Sequence, residues 1–396
     1  MNTKLCWSAD FETTTDEKDC RVWAWALSNV DEPDNFKYGN CLEGFLDFCA
    51  NPKHNYTMYF FNLKFDASFI LSHILKEGYR EVDSSKDKRS KTFTTLITDR
   101  GVYYSIEIYF EVKGKHVNKV KILDAMKLFP GFSVERLASG FGLEIGKLEL
   151  DYRKKREIGH ILTEHEIEYI RNDVTIVAQA LNQAFNKKLN KMTIASNAIR
   201  DFRSRCVNFK ELFPELPPEM DAAIRASYKG GFTYLSDKYV GIEQGKGMTL
   251  DVNSLYPSVM KFNKMPVGLP KPFEGKYEFD PNYDLYIQSL ECKFDLKPGK
   301  IPSIQIKHRL DFIDNEYLKS SDGEYVDLTL TSVDLKLFFD QYNVDVKQYL
   351  GGFKFQSSAN VFDKYIDYWT EEKISAGKEG RKGSRQLAKL MLNSLY

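Results

Sequence analysis

Three features are missing from this sequence: a net charge, an apolar run of membrane-spanning length and closely paired cysteines. Its 396 residues include 56 Lys and Arg against 56 Asp and Glu, so the formal net charge is zero. Neutrality does not exclude a nucleic-acid partner, because an enzyme that uses carboxylates to hold metal ions can be neutral overall and still carry a basic groove. Without a signal peptide or a long apolar run, we expect no membrane partner.

The six cysteines form no Cys-x-x-Cys pair, which predicts reduced, mostly core thiols of a cytosolic protein. Hydrophobic residues make up 42% and charged residues 28% of the chain, as in ordinary globular proteins. The length allows two or three domains, each with its own core.

The most specific stretch runs from Thr249 to Met260. It predicts a buried strand from Met248 to Val252, then a turn and a helix with Pro257 in its first turn, where a missing N–H costs nothing. Asp251 falls at the end of the strand, where a carboxylate can be held rigidly beside a cleft. A lone Asp there can equally be a simple cap.

The spacing of several acidic residues in the first half of the chain places them on shared faces of predicted strands and helices. Asp10 and Glu12 are two residues apart in an extended segment, so both side chains face the same way and repel unless a cation lies between them. Asp66 follows an apolar strand at a helix start, and Tyr169 and Asp173 share one face of a helix that begins with a capping box at Thr163. The alternatives are surface acids and, for Asp66, a favourable helix dipole.

Two further segments have a plain and a functional interpretation. The paired glycines of Tyr228-Lys229-Gly230-Gly231-Phe232 allow either a close backbone approach to a ligand or a simple turn. The segment from Ser384 to Tyr396 predicts a helix, one face of which carries Arg385, Lys389, Asn393 and Tyr396. That face is either solvated or a binding surface.

Taken in order, the acidic strings resemble the three exonuclease motifs of DNA-polymerase proofreading domains. Phosphodiester hydrolysis by a two-metal route needs ions about 3.5–4 Å apart bridged by carboxylates, and magnesium prefers oxygen ligands. The resemblance implies that two Mg2+ or Mn2+ ions are held by Asp10, Glu12, Asp66 and Asp173. It also implies that Tyr169 orients the attacking water and Lys147 assists near the scissile phosphate. Thr13, Asn62 and Phe65 would hold the 3′-terminal nucleotides, Phe65 by stacking. Phe61 stands where that family often has His.

The string Asp-x-x-Ser-Leu-Tyr-Pro-Ser resembles motif A of the family B DNA polymerases, and Lys-x-x-x-Asn-Ser-x-Tyr resembles their motif B. The resemblance implies that Asp251 and the Val252 carbonyl hold two magnesium ions. Tyr256 would lie under the incoming deoxyribose, Lys389 would hold the triphosphate as a point charge, and Tyr396 would check the nascent base pair. The Tyr-x-Gly-Gly string resembles an element that binds the template backbone, which assigns Tyr228, Gly230 and Gly231 to that role.

About 90 residues, from Asn263 to Gly352, separate the two halves of the polymerase motifs and are similar to the first terminal-protein region of the protein-primed subgroup from small bacteriophages. The strings Ile304-Gln305-Ile306-Lys307 and Glu316-Tyr317-Leu318-Lys319-Ser320-Ser321 are examples of the resemblance. Family members continue past motif B with a motif C, an Asp-Thr-Asp string that is missing here. We therefore expect a polymerase truncated within motif B, without a thumb.

The expected fold is α/β and α+β: an RNase H-like 3′–5′ exonuclease domain followed by a partial palm and fingers. The expected domains are the exonuclease (1–189), linker helices with the Tyr-x-Gly-Gly element and motif A (190–262), the terminal-protein-region insertion (263–352) and a partial palm and fingers (353–396). Residues 191–209 are expected to be helical.

The predicted function is protein-primed DNA polymerisation with 3′–5′ exonuclease proofreading, in which this chain alone is competent only as an exonuclease. A stand-alone exonuclease, or a catalytically idle DNA- or terminal-protein-binding fragment, remains an alternative. The expected partners are single-stranded 3′ ends, primer-template DNA, deoxynucleoside triphosphates and a terminal protein. We expect a monomer in the cytoplasm, that of a bacterial host if a phage encodes the chain.

Overall fold

The computed structural model describes residues 3–16, 19–305 and 317–396. Within these ranges the strands are β1 (Cys6–Thr13), β2 (Val22–Asn29), β3 (Phe36–Gly39), β4 (Thr57–Phe60), β5 (Arg80–Glu81), β6 (Thr92–Ile97), β7 (Tyr103–Lys113), β8 (His116–Asp124), β9 (Met265–Phe273), β10 (Leu285–Leu296), β11 (Ile304–Gln305), β12 (Tyr317–Leu318), β13 (Val326–Thr331) and β14 (Tyr342–Ser358).

The α-helices of the same ranges are α1 (Leu42–Cys49), α2 (Leu63–Lys76), α3 (Val134–Phe141), α4 (Glu164–Asn186), α5 (Ile194–Arg205), α6 (Phe209–Leu212), α7 (Pro218–Arg225), α8 (Leu255–Phe262), α9 (Ser332–Gln341), α10 (Asp363–Lys378) and α11 (Lys382–Leu392). The chain divides into two compact units. The first comprises Met1–Phe202 and Tyr365–Tyr396, and the second comprises Arg203–Lys364.

The first unit is built on an eight-stranded mixed sheet in the order β3-β2-β1-β4-β8-β7-β6-β5. Strands β1, β4 and β8 run parallel to one another, whereas β2 and β7 are antiparallel to their neighbours. Helices α1 and α2 pack on one face, where Phe11, Phe45 and Phe60 are buried together. Helix α4 packs against β1 and β2 on the other face. Every residue of β2 is consequently buried, which fits a strand covered on both sides.

Local sequence signals explain where the helices of this unit begin. Thr163 and Glu166 form the predicted capping box at the start of α4, so this prediction is confirmed. Asn62 has a φ of 72° immediately before α2, a left-handed conformation that Asn tolerates better than most residues. Its backbone N–H donates to Asp124 Oδ1 at 3.2 Å, which ties this turn to the end of β8.

The second unit contains a four-stranded antiparallel sheet in the order β13-β10-β14-β9. Helix α9 covers one face, and Leu290, Phe294, Phe338 and Tyr342 form the centre of the buried cluster between them. Strands β10 and β14 come so close that a Cβ at Gly352 would lie 1.9 Å from the Ile287 carbonyl oxygen. Only glycine fits there.

Three sequence predictions of local structure need correction. Met248–Val252 is not a buried strand: the segment has no regular structure, and Leu250 is 82% exposed. Its apolar residues favour a strand, but no described segment pairs with its backbone. Helix α11 ends at Leu392, because Asn393 leaves helical geometry, so Tyr396 does not share a helix face with Lys389. The predicted helix 191–209 is confined largely to α5.

Two other predictions have mixed outcomes. Three of the six cysteines, Cys6, Cys49 and Cys292, are buried; the other three are not, so the expectation of mostly core thiols was only half right. The predicted boundaries at 189/190, 262/263 and 352/353 remain predictions. The quoted residues Ile306, Lys307 and Glu316 lie outside the described residues.

Candidate active site

The predicted carboxylates of β1 and α4 come together in the first unit. Along β1, Phe11 faces the α1 and α2 side of the sheet, so Asp10 and Glu12 project to the side that α4 covers. Asp173 projects from α4 toward them. Carboxylate oxygens of Asp10, Glu12 and Asp173 lie within 4.8 Å of one another, which is a spacing that one cation can bridge.

Asp66 lies in the first turn of α2 and is only 3% exposed. Burial raises its pKa well above the usual value, and the charges of Asp10 and Glu12 add to that increase. Its Oδ1 has no hydrogen-bond partner among the described residues, and the same holds for Oδ1 of Asp173. Buried carboxylate oxygens without a donor are costly, so these two atoms fit a role as metal ligands.

The electrostatics of the cluster favour a divalent cation. Burial, reinforced by Asp173, raises the pKa of Asp10 to about 7, and burial with Asp10 and Asp173 raises the pKa of Glu12 to about 9. Lys147 partly compensates, because its Nζ lies 3.4 Å from Asp173 Oδ2. One ammonium group cannot neutralise four neighbouring carboxylates, whereas oxygen-rich acidic sites of this kind suit Mg2+ or Mn2+.

Tyr169 is buried one turn before Asp173 on α4. Burial, followed by the charge of Glu12, raises its pKa, so the phenol keeps its proton. Its hydroxyl lies 2.7 Å from that of Tyr152, in the segment that connects α3 to α4. Nothing in the sequence indicated Tyr152, because it lies seventeen positions before its partner and no periodic pattern joins the two.

The three residues expected to hold a 3′ end lie along the same elements. Thr13 ends β1 directly after Glu12, at an irregularity in the pairing with β2. Asn62 precedes α2 and Phe65 lies in its first turn, next to Asp66. Phe65 is 51% exposed, and its ring centroid lies 5.6 Å from that of Phe69 in an edge-to-face arrangement, so part of its π surface is available for stacking.

A buried ion pair that the sequence did not reveal anchors the start of α4. Arg156 Nε donates to Glu166 Oε1 at 2.9 Å, and the Arg156 guanidinium lies 4.0 Å over the Trp23 ring. The other carboxylate oxygen, Oε2, is 2.8 Å from His160 Nε2 and accepts from the Thr163 backbone N–H. Burial acts to raise the pKa of Glu166, but these hydrogen bonds prevail and lower it to about 2.

In the second unit, the Tyr-x-Gly-Gly segment is held by residues of the insertion. The Gly230 N–H donates to Gln305 Oε1 at 3.1 Å, and the Thr233 N–H donates to the Tyr317 hydroxyl at 3.1 Å. Phe232 packs 4.9 Å from the Tyr317 ring. The sequence strings around 305 and 317 carried the family resemblance, but nothing in them indicated this contact.

The other residues predicted to contact the template, the incoming nucleotide or metal ions in the second unit are exposed. Tyr228 is 73% exposed, and a Cβ at Gly231 would lie 3.7 Å from the Tyr256 hydroxyl. The structure therefore brings Gly231 and Tyr256 close together. Asp251 and Val252 lie in the irregular segment before α8 and are also exposed. Among the described residues, Asp251 belongs to no group of three or more potential metal ligands.

The two motif B residues belong to the first unit. Lys389 is an exposed residue of α11, and Tyr396 follows the helix with 54% of its surface exposed. The structure thus brings the exonuclease-type residues into one cluster, while the polymerase-type residues are divided between the units.

Comparison with known proteins identifies the family. The model of the family described as "DNA polymerase type B, organellar and viral" matches residues 50–165 and 150–396. These ranges cover well over half of the chain, and the chain belongs to this family of DNA polymerases. Members of this family generally use divalent metal ions, in keeping with the carboxylate cluster.

Individual relatives narrow the similarity to polymerases of the phi29-type phages. The DNA polymerase of Bacillus phage M2 is 43% identical over 398 residues, covering all of this chain and 68% of the relative. The orthorhombic crystal form of Phi29 DNA polymerase, from a Bacillus phage, matches with a TM-score of 0.93 and 40% identity, over 99% of this chain and 67% of that one. Its complex with primer-template DNA and incoming nucleotide substrates matches with a TM-score of 0.89 and 40% identity, over 99% and 68%.

These matches confirm the predicted family and the mixed α/β fold class. Among the described residues, no helix is both long enough and apolar enough to cross a membrane.

Proposed function

We propose that the chain is a protein-primed DNA polymerase whose first unit carries a 3′–5′ exonuclease acting on single-stranded DNA ends. The observation that carries this proposal is the convergence of Asp10, Glu12 and Asp173 within 4.8 Å, together with the buried Asp66, whose Oδ1 has no hydrogen-bond partner among the described residues. Like-charged buried groups in such numbers are uncommon unless a cation compensates them.

In this proposal the four carboxylates hold two Mg2+ or Mn2+ ions, which would activate a water and stabilise the charge on the phosphate. Tyr169, with its hydroxyl fixed by Tyr152, orients the attacking water. Lys147 is a further cation close to Asp173 and would stabilise the phosphate as negative charge develops.

Binding of the 3′ end is assigned to three neighbours of the cluster. The exposed face of Phe65 would stack on a base, a contact worth about 1–3 kcal/mol. Thr13 and Asn62 would donate hydrogen bonds to the terminal nucleotides. Each of the three lies within four residues of a carboxylate of the cluster. This proximity supports one continuous binding site for the 3′ end.

The polymerase function is proposed from the family and from the phi29 complex with primer-template DNA and nucleotides. Asp251 and the Val252 carbonyl would hold two metal ions, Tyr256 and Lys389 would contact the incoming nucleotide, and Tyr396 would contact the nascent pair. Tyr228, Gly230 and Gly231 would contact the template backbone. A terminal protein would supply the priming hydroxyl by way of the insertion.

The test of the nuclease assignment is the Asp10→Ala, Asp66→Ala double variant. The unaltered chain should degrade a 5′-labelled single strand from its 3′ end with Mg2+ or Mn2+, and the double variant should not. The matched control is Asp83→Ala with Asp87→Ala, which removes two exposed acids of the same unit. Cleavage retained by the Asp10, Asp66 variant would overturn the site assignment.

Primer extension tests the polymerase half separately. Because Asp251 belongs to no group of three or more potential metal ligands among the described residues, we expect the 396-residue chain alone to incorporate no nucleotide. Incorporation would contradict that expectation. DNA binding without any cleavage would instead favour an idle binding module.

A further inference from the structure

A cavity of about 360 Å³ in the second unit is walled by aromatic rings. We call it the tyrosine cavity, after Tyr277, Tyr286 and Tyr349, which line it. Tyr286 lies on β10 and Tyr349 on β14, on the sheet face that α9 covers, and α9 contributes Phe339. The volume lies in the range of small-molecule sites and is sufficient for one nucleotide.

The walls of the tyrosine cavity offer flat π surfaces. The rings of Tyr277 and Tyr286 are stacked on each other, with centroids 3.8 Å apart and planes inclined by 12°, so a base can stack only on an outer face of the pair. Tyr349 is a separate wall, and Lys276 Nζ lies 5.4 Å from its ring centroid. Bases stack on such rings without sequence preference, because every base has a π face.

The charge of the tyrosine cavity is positive. Lys276 and Lys336 line it, no carboxylate does, and neither lysine forms an ion pair with a described residue. The basic cavity beside Arg153 in the first unit differs, since Asp16 and Asp19 also line it. An anionic ligand is therefore favoured in the tyrosine cavity, whereas the two aspartates partly offset the basic residues of the other cavity.

A nucleotide satisfies both features at once, because it has a flat base for the rings and a phosphate for the lysines. A protein side chain would satisfy only one of them unless an acidic residue happened to follow an aromatic one. In a duplex the bases already stack on one another, so only an unpaired strand can insert a base.

We propose that the tyrosine cavity binds one nucleotide of a single-stranded DNA, with the base stacked against the tyrosines and the adjoining phosphates near Lys276 and Lys336. This site is additional to the exonuclease cluster, and it rests on the proposed function in that single-stranded DNA is the ligand handled by the chain. Its residues take no part in the proposed chemistry.

The first test measures binding of a labelled oligothymidine of about a dozen nucleotides to the full chain in EDTA, as a function of salt. Each phosphate contact contributes about 0.7 to the slope of log K against log salt for single strands, so Lys276→Gln with Lys336→Gln should lower the slope by about 1.4. The control, Lys293→Gln with Lys347→Gln, removes the same charge beside Tyr325, outside the cavity. Equal slopes in both variants would overturn the proposal.

The second test maps contact directly. An oligothymidine carrying 5-iododeoxyuridine should photocrosslink to peptides containing Tyr277, Tyr286 or Tyr349, and Tyr349→Leu should weaken that crosslink. Crosslinks found only in other peptides would overturn the proposal and would favour a protein partner as the occupant of the cavity. Degradation of short single strands should be unchanged in the lysine variant. A chain that degrades no DNA at all would refute the proposed exonuclease without deciding the crosslink result.

Discussion

The hydroxyl oxygens of Tyr152 and Tyr169 lie 2.7 Å apart, which joins the segment before α4 to the carboxylate cluster. Tyr169 lies on the same helix face as Asp173, so its ring position is set by α4. Its hydroxyl has two hydrogen-bonding neighbours, Tyr152 and the Asp173 carboxylate, so the direction of the hydroxyl proton depends on both. A phenol that must orient a water molecule depends on that direction, and Tyr152 is therefore a positioning residue in the proposed exonuclease.

The first prediction concerns Tyr152→Phe. Loss of one hydrogen bond of about 0.5–1.5 kcal/mol should slow exonuclease turnover about 2- to 13-fold while leaving KM for short single strands nearly unchanged. Single-turnover degradation measures this. Tyr38→Phe is the control, because Tyr38 is an exposed tyrosine of the same unit. A turnover rate equal to that of the unaltered chain would show that Tyr152 has no positioning role.

The second prediction concerns the buried carboxylate of Asp66. Its pKa is raised in the folded state, so its contribution to stability is full below the unfolded pKa and is lost as pH rises through the folded value. In EDTA, Asp66→Asn should therefore raise the melting temperature, more at about pH 8 than at about pH 5. Excess Mg2+ should stabilise the unaltered chain more than the variant. Thermal unfolding measures these differences. A melting temperature of Asp66→Asn below that of the unaltered chain, in EDTA at the higher pH, would contradict this explanation.

A contact in this site could be predicted from the sequence only when its residues lie close together along the chain. Asp10 and Glu12 share a strand face, and Tyr169 and Asp173 share a helix face, so their spacing alone predicts each pair. That the pairs meet, and that Asp66 joins them, follows from the packing of α4 and α2 on opposite sides of one sheet. Only the family resemblance anticipated that meeting.

The relationships that the sequence did not reveal all join distant residues. Arg156 forms a hydrogen bond with Glu166 across a loop, and the Gly230 N–H donates to Gln305, which lies 75 positions further along the chain. The failed prediction at Met248–Val252 has the same origin. An apolar run favours a strand, but a strand requires a neighbour for its backbone groups, and no pattern within the run specifies one.

The third prediction concerns the Glu166 carboxylate, held by Arg156, His160 and Thr163. Its pKa is lowered to about 2, so it stabilises the fold above the unfolded pKa and loses that contribution as pH falls toward 2. Glu166→Gln should cost about 3 kcal/mol at neutral pH, partly because Arg156 is left buried without its partner, and this difference should shrink in acid. Urea unfolding at several pH values measures it. Glu168→Gln, an exposed neighbour on α4, should change little. A similar loss in both variants would remove the special role of Glu166.

The fourth prediction concerns Tyr317, whose hydroxyl accepts from the Thr233 N–H. Tyr317→Phe keeps the ring contact with Phe232 but removes that acceptor, so the Tyr-x-Gly-Gly segment should lose part of its preferred conformation. We expect primer-template affinity to fall about 3- to 10-fold, measured by anisotropy in EDTA, with degradation of short single strands unchanged. Tyr325→Phe removes a hydroxyl that bonds Asp345 and should leave both readouts unaltered. If the two variants bind primer-template DNA equally well, the Tyr317 hydroxyl does not position the glycine segment.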